Sequence, residues 1–493
     1  MYGRGSSEVA LPKFHLQPVA ASHHRISSRR PRRSGVTLVE ILVSVALTLL
    51  VVLAVVRVFE VLGGNVTESR TILELSGQLR NASAQLQNDL NRVTVRTLPP
   101  IDPASGAGYL EIIEGIRSDR DVDGDGIVNT ADPQADPFAV RVENGRPPLD
   151  TEVTSPEFLN RIAEVLGDTD DMFMATLRST GKPFTGQILG QIFESPLAEV
   201  VWWIEPVQPA MGASSTPGAT GLAIHRRVLL IRPDLNNVPA VRQQLASAGS
   251  NYQEFLSRND LSVRPSANGF IANSLADLTN RENRFAHWPT NLNTMGPGNF
   301  PFYVNRDWLI PAIDRRDLVM GDVLAFDIRV FDRSSPLIKP TSTSPYVVSA
   351  TDPGYYTTNG AGEQVGLGAY VDLGYLPGTN SPSSISHFSG LPHPRSGLRS
   401  LNGSQAVNPL APRVYCSWST QYETDGIPQN GGMDIGTNGL DDDGDGIVDG
   451  ATERDTSAPY PVPLRGVEVL IRCQEFSSGQ VRQASVVGEF LPE

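Results

Sequence analysis

Residues 34–56 read SGVTLVEILVSVALTLLVVLAVV, an apolar run interrupted by one acid, Glu40, and then uncharged until Arg57. About 20 consecutive apolar residues are what a helix needs to cross the hydrocarbon of a bilayer. A carboxylate inside such a span costs about 2.5 kcal/mol or more on insertion scales, so Glu40 calls for a counterion. A secretory signal does not account for the run. Its apolar core has about 7 to 15 residues and ends in a small-residue cleavage site, whereas this run is longer and reaches Gly63-Gly64 without such a site. A plain membrane anchor accounts for the length and leaves the acid unexplained.

The flanks narrow the choice. Arg29, Arg30, Arg32 and Arg33 form a basic patch, followed by Ser34 and Gly35, and Glu40 is fifth in a chain that starts at Val36. This arrangement resembles the processing and anchoring segment of type IV pilins and of the pseudopilins of type II secretion. The resemblance implies a prepilin peptidase that cuts after Gly35 and methylates the new first residue, Val36, where the family usually has phenylalanine. It also implies assembly with other pilin or pseudopilin subunits on an inner-membrane platform, and a single-pass helix in the inner membrane. The head would lie in the periplasm or on the cell surface in a filament. Physical chemistry supplies a reason for the acid: cleavage frees an amine at Val36, and in a helical array that amine neutralises Glu40 of a neighbouring subunit. Pairing removes most of the burial cost of both charges.

Composition fits this division. Residues 1–35, expected to be a removed leader, are mostly polar and hold seven of the 40 basic residues against a single acid, Glu8. What remains has 33 basic and 53 acidic residues, a net charge of about −20, which argues against nucleic acid as a partner and suits calcium. Beyond the apolar run the pattern turns amphipathic, with Ile72, Leu75, Leu79, Ala82, Leu86, Leu90 and Val93 recurring at three and four residues. A helix is therefore expected over 36–96, with Gly63-Gly64 as its soft point and Pro99-Pro100 beyond its end.

Residues 97–493 read as a β-rich head. Strands are expected at Tyr109 to Ile113, Met172 to Arg178, Glu199 to Glu205, Gly221 to Ile231, Asp322 to Phe331, Arg413 to Ser419, Gly466 to Cys473 and Val481 to Phe490. The last two flank Ser477-Ser478-Gly479 and read as a hairpin, and AEVVWWIEP pairs with TGLAIHRRVLLIRPD. Stretches near 233–307 and 333–410, rich in Pro, Gly, Ser and Asn, read as insertions, with a helical piece near Val238 to Leu256. The fold class is α+β, one long N-terminal helix packed on a mainly antiparallel sheet, which is also the pilin architecture. Within that family the size and the hairpin ending look most like a J-type minor pseudopilin.

Two acidic loops carry metal-ligand spacing. Asp121, Asp123, Asp125, Ile127 (through its carbonyl), Asn129 and Asp132 fall at positions 1, 3, 5, 7, 9 and 12 of a calcium loop, with Gly126 at the sharp turn. A second copy has Asp441, Asp443, Asp445, Ile447 and Asp449 at the first five positions. It places Thr452 at position 12 and Glu453 one residue late, so closure falls to Glu453. Proline follows each loop in place of an exiting helix, so both read as structural clips for Ca2+.

Cys416 and Cys473 are the only cysteines and permit either one disulfide or two buried thiols. Histidines 225, 287, 387 and 393 are scattered without metal spacing, and no H-E-x-x-H, G-x-S-x-G or Walker A sequence occurs. Strand alternation puts one of Trp202 and Trp203 in the core, which favours a structural role over a carbohydrate platform. The expected function is a non-enzymatic filament subunit. The alternatives are a calcium-dependent adhesin displayed by a pilin-type anchor and a membrane-anchored extracytoplasmic hydrolase.

Overall fold

The computed structural model describes residues 35, 37–97, 100–114, 171–206, 222–247, 251–287, 304, 309, 311–312, 316–349, 362–375, 388, 413–426, 436–450, 453–460, 462–474 and 480–490. For residues 60–69, 100 and 206 it describes the backbone alone.

One helix, α1 (Leu38–Leu90), opens the fold. It runs without a break through Gly63-Gly64 and ends six residues before the expected Arg96. The reason is a run of β-branched residues, Val93-Thr94-Val95, which favour extended backbone. Val93 forms a bridge with Leu177, and the Thr94 amide donates to Thr176 O at 2.9 Å, so pairing with a strand replaces the next helical turn.

The strands are, in chain order, β1 (Pro100–Ile101), β2 (Leu110–Glu114), β3 (Met172–Arg178), β4 (Phe184–Ile188), β5 (Gln191–Ser195), β6 (Leu197–Pro206), β7 (Leu222–Leu230), β8 (Val263–Ser266) and β9 (Gly269–Ala272). There follow β10 (Leu318–Gly321), β11 (Val323–Lys339), β12 (Glu363–Val371), β13 (Arg413–Cys416), β14 (Trp418–Ser419), β15 (Gly466–Gln474) and β16 (Val481–Glu489). Among the described residues of the 233–307 stretch lie three short α-helices, α2 (Pro239–Ser247), α3 (Tyr252–Arg258) and α4 (Leu275–Thr279).

Among the described residues the two largest sheets are antiparallel. The larger has the order β10-β7-β6-β3-β2-β13 and the smaller β12-β11-β15-β16. The chain passes from one to the other at Asp322, whose φ of 58° makes the corner between β10 and β11. The two hairpins expected from sequence are present, with β6 paired to β7 and β15 to β16 throughout.

Strand alternation divides the interior into two clusters. One joins Leu75, Leu79, Ala82, Leu86 and Leu90 of α1 to Phe173, Val200 and Trp202 of the larger sheet and to Phe326, Val469 and Ile471 of the smaller. The other lies on the opposite face of the larger sheet, where Met174, Val201 and Trp203 meet Leu245, Phe255, Phe270 and Phe285 from 233–287. Trp202 and Trp203 are therefore both core residues, one in each layer. The 233–287 stretch covers the outer sheet face and contributes its own buried leucines and phenylalanines.

The two layers also decide the cysteine pair. Cys416 on β13 belongs to the outer cluster and Cys473 on β15 to the inner one, and both are buried free thiols. The disulfide permitted by sequence is not formed, because their side chains enter different layers. Burial pushes both thiols up to about 11, which keeps them protonated at neutral pH.

Candidate functional site

At the N-terminal segment Gly35 is exposed and Val36 lies outside the described residues. Thr37 caps α1: its Oγ1 accepts from the Glu40 amide at 3.3 Å, and its carbonyl accepts from Ile41 N at 3.2 Å. The side chain satisfies one orphan amide of the first turn, that of Glu40, which stands at the third helical position, where a carboxylate complements the helix dipole. Every described side chain from Leu38 to Phe59 is exposed, Glu40 included. The polar atoms of Ser44 and Thr48 are consumed internally by bonds to Ile41 O (2.9 Å) and Ser44 O (2.7 Å), as a lipid environment demands. Leu38–Phe59 is long and apolar enough to span a membrane, at about 33 Å for 22 residues.

The helix continues into a head with a polar anchor. Asp89, in the last turn of α1, is almost fully buried and accepts from Arg226 Nε (2.6 Å), Arg226 Nη2 (2.9 Å) and Trp202 Nε1 (2.9 Å). Its burial is compensated by a bidentate guanidinium and an indole donor.

The ligand residues of the first acidic loop, Asp121, Asp123, Asp125, Ile127, Asn129 and Asp132, lie outside the described residues. The second loop is described. Asp441, Asp443 and Glu453 each bring a carboxylate oxygen within 4.8 Å of the others. Asp441 accepts from Gly444 N (2.7 Å) and Gly446 N (2.9 Å), with both glycines at positive φ, so the carboxylate sits inside a tight turn. Asp445 accepts from Ile447 N at 2.7 Å and Asp449 from Gly439 N at 2.9 Å, which shapes the loop; neither belongs to the three-carboxylate group. Glu453 is buried and accepts from the amides of Asp442, Asp443 (3.0 Å) and Gly450 (2.7 Å). The residue one place past position 12 thus closes the loop. Carboxylate oxygens are the donor type that a hard cation such as calcium takes.

The loop is tied to the outer core a few residues on. Glu423 accepts from Asp455 N (2.9 Å) and Thr456 N (3.0 Å), and Trp418 Nε1 donates to Thr456 Oγ1 at 2.9 Å. Burial pushes the Glu423 carboxyl up despite these donors.

Sequence reasoning missed one polar constellation. Glu111 on β2 is fully buried and faces Arg281 Nη2 (2.5 Å), Arg284 Nη1 (2.7 Å) and His287 Nε2 (3.1 Å). Burial opposes its ionisation, but Arg281, His287 and Arg284 outweigh that and hold the carboxyl well below its usual range. Two strands away in the same sheet, Glu199 on β6 accepts from Tyr109 OH (2.7 Å), Ser262 Oγ (2.6 Å) and Phe285 N (2.8 Å). Burial dominates there and pushes the Glu199 carboxyl up. A glutamate in the middle of an apolar strand was the only available signal, since its partners are some 170 residues away in sequence.

A family model for the prokaryotic N-terminal methylation motif matches residues 30–56. The chain carries the type IV pilin and pseudopilin signature. No curated protein and no solved structure matches it. The signature and the exposed apolar helix together describe a single-pass, pilin-type membrane anchor followed by an α+β head. The motif entails processing by a prepilin peptidase and assembly with other pilin-type subunits. Proteins that bear it are structural subunits.

Proposed function

We propose that this chain is a minor pseudopilin-like subunit of a type II secretion or type IV pilus machine, cleaved between Gly35 and Val36 and assembled through Glu40. The observation that carries the reading is Glu40 itself, a lone exposed acid in the first turn of a helix that then carries no charge until Arg57. In lipid that carboxylate is costly until it meets a cation. The Val36 amine of a neighbouring subunit is available only after cleavage, so processing and assembly are coupled by one ion pair. The rest of the reading follows from this anchor: an inner-membrane helix, a periplasmic or filament-borne head, and an assembly platform as partner.

The head is a structural body stabilised by calcium in this reading. The second loop would hold the ion through Asp441, Asp443 and Glu453, and the first through Asp121, Asp123, Asp125, Asn129, Asp132 and the carbonyl of Ile127. The bound cation neutralises converging carboxylates and so orders the segment that leads from β14 to β15.

The direct test replaces Glu40 with alanine in the native host. Expected is a protein that is still cleaved and membrane-inserted yet absent from filaments recovered by shearing and pelleting. Normal incorporation of the Glu40→Ala variant would contradict the reading.

A further inference from the structure

We propose that His287 is held as a doubly protonated imidazolium in the folded head, and that its second proton fastens residues 251–287 onto the outer face of the larger sheet. Both ring nitrogens face acceptors. Nδ1 lies 2.8 Å from Phe285 O and Nε2 lies 3.1 Å from Glu111 Oε1, and the ring is fully buried. A backbone carbonyl has no proton to give, and Glu111 is the ionised partner of two guanidiniums. A neutral imidazole has one N–H and one lone pair. Whichever tautomer it took, one lone pair would point at an oxygen lone pair in the buried interior, where an unmade hydrogen bond costs about 1–3 kcal/mol.

The setting explains why this proton matters. Glu111 and Glu199 project from the sheet into the outer layer, and their six donors among the described residues are Arg281, Arg284, His287, Ser262, the Phe285 amide and Tyr109. Five of those six belong to the 251–287 segment. The charged groups around the imidazole are Glu111 on β2, and Arg281 and Arg284 on its own segment; Cys416 on β13 and Tyr109 and Glu199 adjoin the same cluster. Burial and the two guanidiniums push the imidazole toward its neutral form, while Glu111 pulls it toward the charged one, and on these influences alone it falls below its ordinary value. The geometry weighs against that direction, because only the imidazolium can donate to the Phe285 carbonyl and to Glu111 at once.

The sign of the effect follows. A histidine held charged in the fold contributes stability that is complete below its ordinary value near 6.5 and is lost as pH rises through its higher folded value. Alkaline conditions therefore loosen the covering segment, and acid conditions fasten it. The inference concerns the head alone and stands whether or not the filament reading holds.

The test uses the full-length chain in detergent, with 15N-labelled histidine, at pH 7.5. Expected is one imidazole whose two nitrogens both carry protons, missing from the His287→Gln spectrum. If every ring shows one unprotonated nitrogen at that pH, the proposal fails. Hydrogen exchange of the Arg281 and Phe285 amides, corrected for intrinsic rate, provides a second reading. The opening constant should rise by up to tenfold per pH unit between the ordinary value near 6.5 and the folded value in the wild type, level off above it, and stay flat throughout in His287→Gln. An opening constant that falls with rising pH, or one that matches the variant throughout, would overturn it.

Discussion

From Leu38 to Phe59, α1 exposes every side chain, whereas from Leu75 to Leu90 it buries Leu75, Leu79, Ala82, Leu86 and Leu90 against two sheets. The apolar residues are of the same kinds; their spacing differs. In the first stretch they occupy all sides of the helix, so no single partner surface can cover them. In the second they fall three and four apart with polar residues between, which makes one stripe. At about 1.5–3 kcal/mol per buried side chain, the exposed apolar residues represent on the order of 30 kcal/mol that only lipid or neighbouring subunits can recover. The charges differ in the same way. Asp89 has its cation and indole within its own chain, while Glu40 has no cation among the described residues. The comparison teaches that one helix combines a half that is complete alone with a half that is complete only in company.

The largest effect expected within the head is at the buried anion. Asp89→Ala leaves the Arg226 guanidinium and the Trp202 indole unpaired in the interior, and should lower head stability by about 3–5 kcal/mol in urea unfolding of the detergent-solubilised chain. A loss below about 1 kcal/mol would mean that water reaches this site. Next comes a matched pair of leucines: Leu86→Ala should cost about 2–5 kcal/mol, and Leu50→Ala less than about 0.5 kcal/mol in the same assay. Equal losses would erase the distinction between the two halves.

Calcium ranks third. With ligand at about a hundred times Kd the wild-type head should gain about 2.7 kcal/mol over the chelator-treated protein. Glu453→Gln should lose a substantial part of that gain, and a gain unchanged by the substitution would remove Glu453 from the ligand set. The smallest change is at the cap, where Thr37→Ala should cost the first turn about 1 kcal/mol and speed exchange of the Glu40 amide without touching the head.

Much of the fold was legible in sequence because the signals were local. Met172–Arg178 and the β6–β7 and β15–β16 hairpins follow from β-branched and aromatic runs bounded by turn residues. The β4–β5 hairpin was missed because its turn is Leu189-Gly190, with Leu189 at positive φ, where asparagine is the usual marker. β12 was missed because Gly366 and Gly368 dilute its strand character. The helix end was placed too late because amphipathic spacing continues through Val93, while the competing strand partner, Leu177, is distant in sequence. For the site, Gly35, Glu40 and the acidic-loop spacing are contiguous motifs and could be read directly. The Glu111 cluster and the separation of Cys416 from Cys473 depend on which layer each strand faces, and no local pattern encodes that.

The central claim is that the lone acid of the apolar span and a newly made N-terminus form a pair, which requires the N-terminus to be made. Intact-mass analysis of the protein taken from membranes of its native host measures this directly. The account predicts a chain beginning at Val36, with one methyl group on its amine. A chain that retains residues 1–35 would contradict it.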